Sequence, residues 1–117
     1  MRYYIIFGIT FILLLFILFY NPYLGVYNDS ISIKYEFNDE DYHWEYKLNN
    51  DNLSLQESDK NYWKFIPNKN GKTTITFFYK NDQSIKYKII YSFKVKNKNI
   101  YWIDGEGYGL LDFPNPY

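Results

Sequence analysis

The chain has no cysteine and no alanine, and it holds one histidine and one arginine. Each shortage removes a class of chemistry. Without cysteine there is no disulfide framework, no thiolate nucleophile and no site for a lipid-modified cysteine. His43 alone cannot build a zinc site. Nor does it belong to a Ser-His-Asp set with a recognisable nucleophile elbow. None of the 6 glycines forms a phosphate cradle after a strand. The acidic run Asp39-Glu40-Asp41 lacks the oxygen-ligand spacing of a calcium loop. Catalysis, a bound metal, a cofactor and a small-molecule substrate are therefore not expected. The formal net charge is zero, which gives no footing for non-specific nucleic-acid binding.

What the chain has in quantity is apolar and aromatic surface, and much of it lies at the start. Tyr3 to Tyr20 reads YYIIFGITFILLLFILFY, eighteen residues with no charge. At about 1.5 Å per residue a helix of this length spans roughly 27 Å, close to a hydrocarbon core of about 30 Å. It is apolar all round, unlike the striped helix of a soluble domain. Tyrosines flank it at both ends, and Asn21-Pro22 stops it. The alternative is a cleaved signal peptide, whose apolar core is about 7–15 residues and ends in a small-x-small site. A chain without alanine offers only Gly25, with the bulky Tyr23 two places before it. The expectation is an uncleaved signal-anchor over 1–20. Arg2 precedes the run and no lysine follows until Lys34, so the N-terminus is expected in the cytoplasm and the remainder outside. Secretion after signal cleavage is the alternative location.

Beyond the run the period is two. Residues 21–30 read as an irregular tether carrying Pro22, Gly25 and Asn28-Asp29. Ile31, Ile33, Tyr35 and Phe37 alternate with polar residues, as do Tyr42, Trp44, Tyr46 and Leu48. Residues 53–56 and 62–66 read as short strands, the second ended by Pro67. Asn70-Gly71 is the strongest turn signal, and Thr73 to Lys80 follows as a β-branched and aromatic strand. Ile85 to Val95 shows the longest alternation, with lysines on its polar face. For residues 100–117 the reading is a hairpin turning at Asp104-Gly105-Glu106-Gly107, then a proline-broken aromatic tail laid against the domain or a partner. Short strands and frequent turns without helices predict an all-β fold, an immunoglobulin-like β-sandwich over 31–99 behind one transmembrane helix. With no disulfide, Trp44 is expected to anchor the core by packing.

Charge is unevenly spread. Val26 to Asp59 carries nine acids against Lys34 and Lys47, whereas Lys60 to Ile103 carries ten lysines against Asp82. Two readings stay open: acidic and basic strands alternating within one domain, or a bipolar surface that steers a charged partner.

The order of features from Ile31 to Lys96 resembles the chagasin-type cysteine-protease inhibitors. The pieces that carry the resemblance are Tyr42-His43-Trp44, Leu53-Ser54-Leu55, Trp63-Lys64-Phe65, Gly71-Lys72-Thr73-Thr74 and the alternation from Tyr87 to Val95. It implies an immunoglobulin-like sandwich whose loops at one end engage a protein partner, in that family a papain-like cysteine protease. Three loops would form the surface here. They hold Asn38, Asp39, Glu40, Asp41 and Tyr42; Glu57, Ser58, Asp59, Lys60 and Asn61; and Lys80, Asn81, Asp82, Gln83 and Ser84. The family's loop motifs are not matched: only Asn38 corresponds in the first, no glycine stands in the second, and no Arg-Pro in the third. The reading is a membrane-held, extracytoplasmic binding module of a bacterium with an AT-rich genome, chagasin-like with diverged loops. The alternative is a small structural or accessory subunit of a bacterial membrane complex, contacting partners through the apolar run and the aromatic tail.

Overall fold

The structure is a computed structural model that describes residues 23–36, 40–110 and 112–117. The expected membrane helix lies outside the described residues, and among those described no helix is long and apolar enough to cross a membrane. The fold is all-β, with eight strands in two antiparallel sheets. They are β1 (Gly25–Tyr27), β2 (Ile31–Lys34), β3 (His43–Leu48), β4 (Leu53–Asp59), β5 (Tyr62–Pro67), β6 (Gly71–Lys80), β7 (Ile85–Lys96) and β8 (Asn99–Tyr108). The larger sheet runs β1-β8-β7-β6-β3 and the smaller β2-β5-β4.

The alternation that defines the strands also builds the core. Ile75, Phe77 and Tyr79 on β6, and Ile89, Tyr91, Phe93 and Val95 on β7, turn inward and are buried. From the smaller sheet Ile31, Ile33, Leu53, Trp63 and Phe65 meet them. At the loop end of the sandwich aromatic rings dominate the packing. Tyr35 stacks on Trp44 with ring centroids 3.8 Å apart and meets Phe77 edge-on at 5.4 Å. Trp44 is itself 4.7 Å from the Tyr79 ring. Offset stacks and edge contacts of this kind suit the aromatic quadrupole and add to the gain from burial.

Three expectations change. The segment 21–30 is not wholly a tether, because Gly25–Tyr27 pairs with β8. Residues 100–108 do not turn at the glycines: β8 runs straight through Gly105 and Gly107, paired with Tyr91 and Ile89. The domain therefore does not end at residue 99, since β8 is an interior strand between β1 and β7. Asn70-Gly71 does turn the chain, with Gly71 at φ 134°, and the turn carries it from β5 of one sheet to β6 of the other. The β7–β8 connection is a two-residue hairpin in which Asn97 and Lys98 both have positive φ, the pattern of a type I′ turn.

The tail from Asp112 to Tyr117 lies along the open side of the sandwich. Tyr91 donates to the Pro114 carbonyl at 2.7 Å, and Tyr27 to that of Pro116 at 2.6 Å. Tyr117 exchanges both backbone hydrogen bonds with Ser32 and so covers the outer edge of β2. Two of the other edges carry their own guards: a bulge and acids on β4, and outward His43, Glu45 and Lys47 on β3.

Phe113 explains the glycines of β8. A Cβ on Gly105 would stand 2.7 Å from the Phe113 ring, and one on Gly107 3.0 Å from it. Gly105→Ala is expected to cost about 1–3 kcal/mol by forcing that ring aside. In a Phe113→Ala background the same change should cost nothing, because alanine is then the better strand residue. Urea unfolding of the four proteins in the cycle measures the coupling. An unchanged cost in both backgrounds would mean that the ring is not what requires glycine there.

Candidate functional site

Strand register gathers the three predicted loops at one end of the sandwich. β2 ends at Lys34, opposite Tyr62, so the β2–β3 connection departs beside the β4–β5 turn. It arrives at His43, opposite Lys80, beside the β6–β7 turn. The amide of Tyr35 donates to the Asn61 carbonyl at 2.9 Å and fixes the first of these junctions.

In the first loop Asn38 and Asp39 lie outside the described residues, while Glu40 and Asp41 are exposed. Tyr42 is half-buried, its ring stacked 5.4 Å from Tyr79, with the Lys86 ammonium 5.2 Å from its centroid. In the second loop the expectation is corrected. Glu57, Ser58 and Asp59 are not loop residues; they belong to β4. They were read as loop because an edge strand past a bulge is solvated on both faces and loses its alternation. Only Lys60 and Asn61 make the turn, with Asn61 at φ 59° and the Asp59 carboxylate accepting from the Lys60 amide at 2.7 Å. In the third, Lys80 closes β6 and pairs with Glu45 at 3.0 Å. Asn81 then folds the turn on itself: its side-chain oxygen accepts from the amides of Gln83 and Ser84 at 2.9 and 2.8 Å.

Asp41, Tyr42, Asn81, Asp82 and Gln83 line a shallow cleft of about 330 Å³ between the first and third loops. A larger one of about 630 Å³ lies beside the tail, bounded by Lys34, Tyr35, Glu36, Asp112, Phe113, Pro114, Asn115 and Tyr117. Sequence reasoning placed no site there. The signal was the aromatic, proline-broken tail, which could be read as packed but not as one wall of a cleft.

The electrostatics of this end are acidic. Glu36, Glu40, Asp41, Asp59, Asp82 and Asp112 are all exposed around it. Glu45, on the adjoining edge, is held below the usual carboxylate range by its hydrogen bonds to His43 and Lys80. Among the described residues no group of three or more His, Cys, Asp and Glu is arranged to hold a metal ion. The opposite end is a polar lattice closed on itself. Asn49 accepts from Thr73 and Thr74, Asn50 and Asn52 donate to the Lys72 carbonyl, and Lys69 pairs with Asp51 at 2.6 Å. That pairing holds the Asp51 carboxyl below its ordinary range. With its side chains satisfied by their neighbours, that end has less to offer a partner than the loop end.

No protein-family model, curated protein or solved structure matches the chain.

Proposed function

We propose that the protein is a membrane-anchored, extracytoplasmic binding module with an immunoglobulin-like domain. The strand order supports the fold reading: β2-β5-β4 follows the B-E-D arrangement and β3-β6-β7 the C-F-G arrangement of that sandwich. Trp44 then stands on strand C, where such domains bury a tryptophan. In the place of strand A the tail residue Tyr117 pairs with β2. The apolar run from Tyr3 to Tyr20 supplies the anchor, which carries the domain out of the cytoplasm.

The binding surface is the loop end, and the observation that carries this is the convergence there of six exposed carboxylates beside two clefts. A partner with a basic surface fits it. Rim charges act chiefly by steering encounter, so association should slow as salt rises. Inhibition of a papain-like protease would need the acidic first loop to enter a water-excluded cleft, at several kcal/mol for each unpaired carboxylate. A nanomolar complex releases about 12 kcal/mol in total. We therefore expect the full chain in detergent to leave papain unaffected at micromolar concentration. Tight, salt-insensitive inhibition would instead restore the activity that the chagasin resemblance implies.

A photo-crosslinker at Asp82 tests the surface against one at Asn70 at the opposite end, both in intact cells. Capture from Asp82, reduced when Glu40, Asp41 and Asp59 are changed to Gln, Asn and Asn, supports the loop end. Equal capture from both ends overturns it. The accessory-subunit alternative needs the aromatic tail free for a partner. Here Pro116 is buried and its carbonyl is bonded to Tyr27, while the Tyr117 side chain stays 60% exposed.

A further inference from the structure

We propose that the β1 edge of the larger sheet docks flat on an anionic lipid surface, namely the bilayer that holds residues 3–20. This rests on the anchored reading and adds the orientation of the domain to it. The outer face of the sheet shows one continuous row at this edge: Val26 opposite Tyr101, Tyr101 opposite Lys94, and Lys94 opposite Lys72. Lys96 shares that face two residues on from Lys94. The Tyr23 ring packs 4.8 Å from that of Tyr101. Leu24, just before β1, and Val26, at its centre, are 58% and 51% exposed, large apolar side chains left in the open.

Chain length ties this patch to the membrane. Tyr23 lies three residues beyond Tyr20, the end of the apolar run. At no more than about 3.6 Å per step these three steps reach roughly 11 Å, at most about twice the headgroup layer on one side of a bilayer. Leu24 and Val26 are thus held at the depth where an apolar side chain gains most from the interface. Tyr23 and Tyr101 are the residue type that settles there. The charge pattern matches as well. Among the described residues no carboxylate pairs with Lys72, Lys94 or Lys96, and lysine stems can lie on the surface while their ammonium groups reach anionic headgroups. The acids of the same face, Asp104 and Glu106, lie further along β8, opposite Ser92 and Ile90. Docking along this edge leaves the acidic loop end turned away from a negatively charged surface, available to a partner.

A chain without native cysteine allows one environment-sensitive label at a time. The full-length protein, labelled at Val26→Cys, Gln56→Cys or Ile12→Cys, would be reconstituted in phosphatidylcholine vesicles with or without phosphatidylglycerol and with quencher-bearing lipids. Docking predicts several-fold loss of emission at positions 12 and 26 and little at position 56 on the other sheet. It also predicts that Lys72→Gln, Lys94→Gln and Lys96→Gln together restore emission at position 26 while native tryptophan fluorescence is unchanged. Quenching at 12 with none at 26 overturns the docking and leaves the anchor standing. No quenching at 12 removes the anchor and the docking with it. Equal quenching at 26 in phosphatidylcholine alone, or quenching at 26 that survives loss of the lysines, overturns the assignment of the surface to anionic lipid.

Discussion

Replacing Trp44 by alanine is expected to remove about 3–5 kcal/mol of stability, the usual cost of emptying a large aromatic site. The indole is 7% exposed and lies between two rings, stacked on Tyr35 at 3.8 Å and tilted against Tyr79 at 4.7 Å. Tyr35 in turn touches Trp63 and Phe77. Its loss therefore leaves more than a local void: the β3 ring that joins Tyr35, just past β2, to Tyr79 of β6 is gone. A single domain is stable by only about 5–15 kcal/mol, so much of the population should unfold at ambient temperature. Trp44→Phe keeps a stacking face and should recover a large part of the loss. Urea titration followed by circular dichroism measures both. A midpoint that barely moves in Trp44→Ala would mean that the stack is not what holds the loop end together.

The second large effect is alkaline. Burial pushes the Tyr91 hydroxyl up to about 12, and burial together with the neighbouring Tyr91 raises Tyr35 further still. The two hydroxyls form a chain, Tyr35 donating to Tyr91 at 3.3 Å and Tyr91 to the Pro114 carbonyl at 2.7 Å. Both groups ionise more readily unfolded, near 10, than folded. Their contribution is therefore fully present below pH 10 and is lost as the pH rises towards and past 12. Each tyrosine should subtract about 1.4 kcal/mol per pH unit above 10 until its own folded value is reached. The melting temperature should hold level through pH 9 and then fall steeply. Tyr91→Phe should lose a little stability at neutral pH, since one hydrogen bond is gone, and show a gentler alkaline decline. Tyrosinate absorbance in which all 15 tyrosines titrate together near pH 10, with the fold intact, would contradict this.

How far the sequence could be read depended on whether a strand advertises itself by contrast. β3, β6 and β7 each have one wet and one dry face, so period-two alternation identified them and placed Trp44 inward. β1 has three residues and exists because β8 offers it an edge, which nothing within Gly25, Val26 and Tyr27 announces. β8 kept its period through Asp104, Gly105, Glu106 and Gly107, but its inward positions hold glycine because a ring from the tail fills that space. Local pattern cannot show a vacancy filled from elsewhere in the chain. For the candidate site the same limit applied: the turns at Lys60-Asn61 and Asn81–Ser84 carry their own chemistry and were legible. The polar edge strand through Glu57, Ser58 and Asp59 has the local pattern of a loop, and the tail cleft, assembled from distant segments, has no local pattern at all.

The tail's bond to Tyr27 spans 89 positions of the chain, and its pairing with Ser32 is almost as distant. Contacts of such separation form late, because the closure entropy must be met before they contribute. During synthesis the edge of β2 emerges early and then waits, with its backbone groups uncovered, until the residues that close it are made. Over that interval a second nascent copy could donate its own strand instead. Where many ribosomes work on one message, yield should depend less on the strength of the finished core than on how quickly the tail residues arrive.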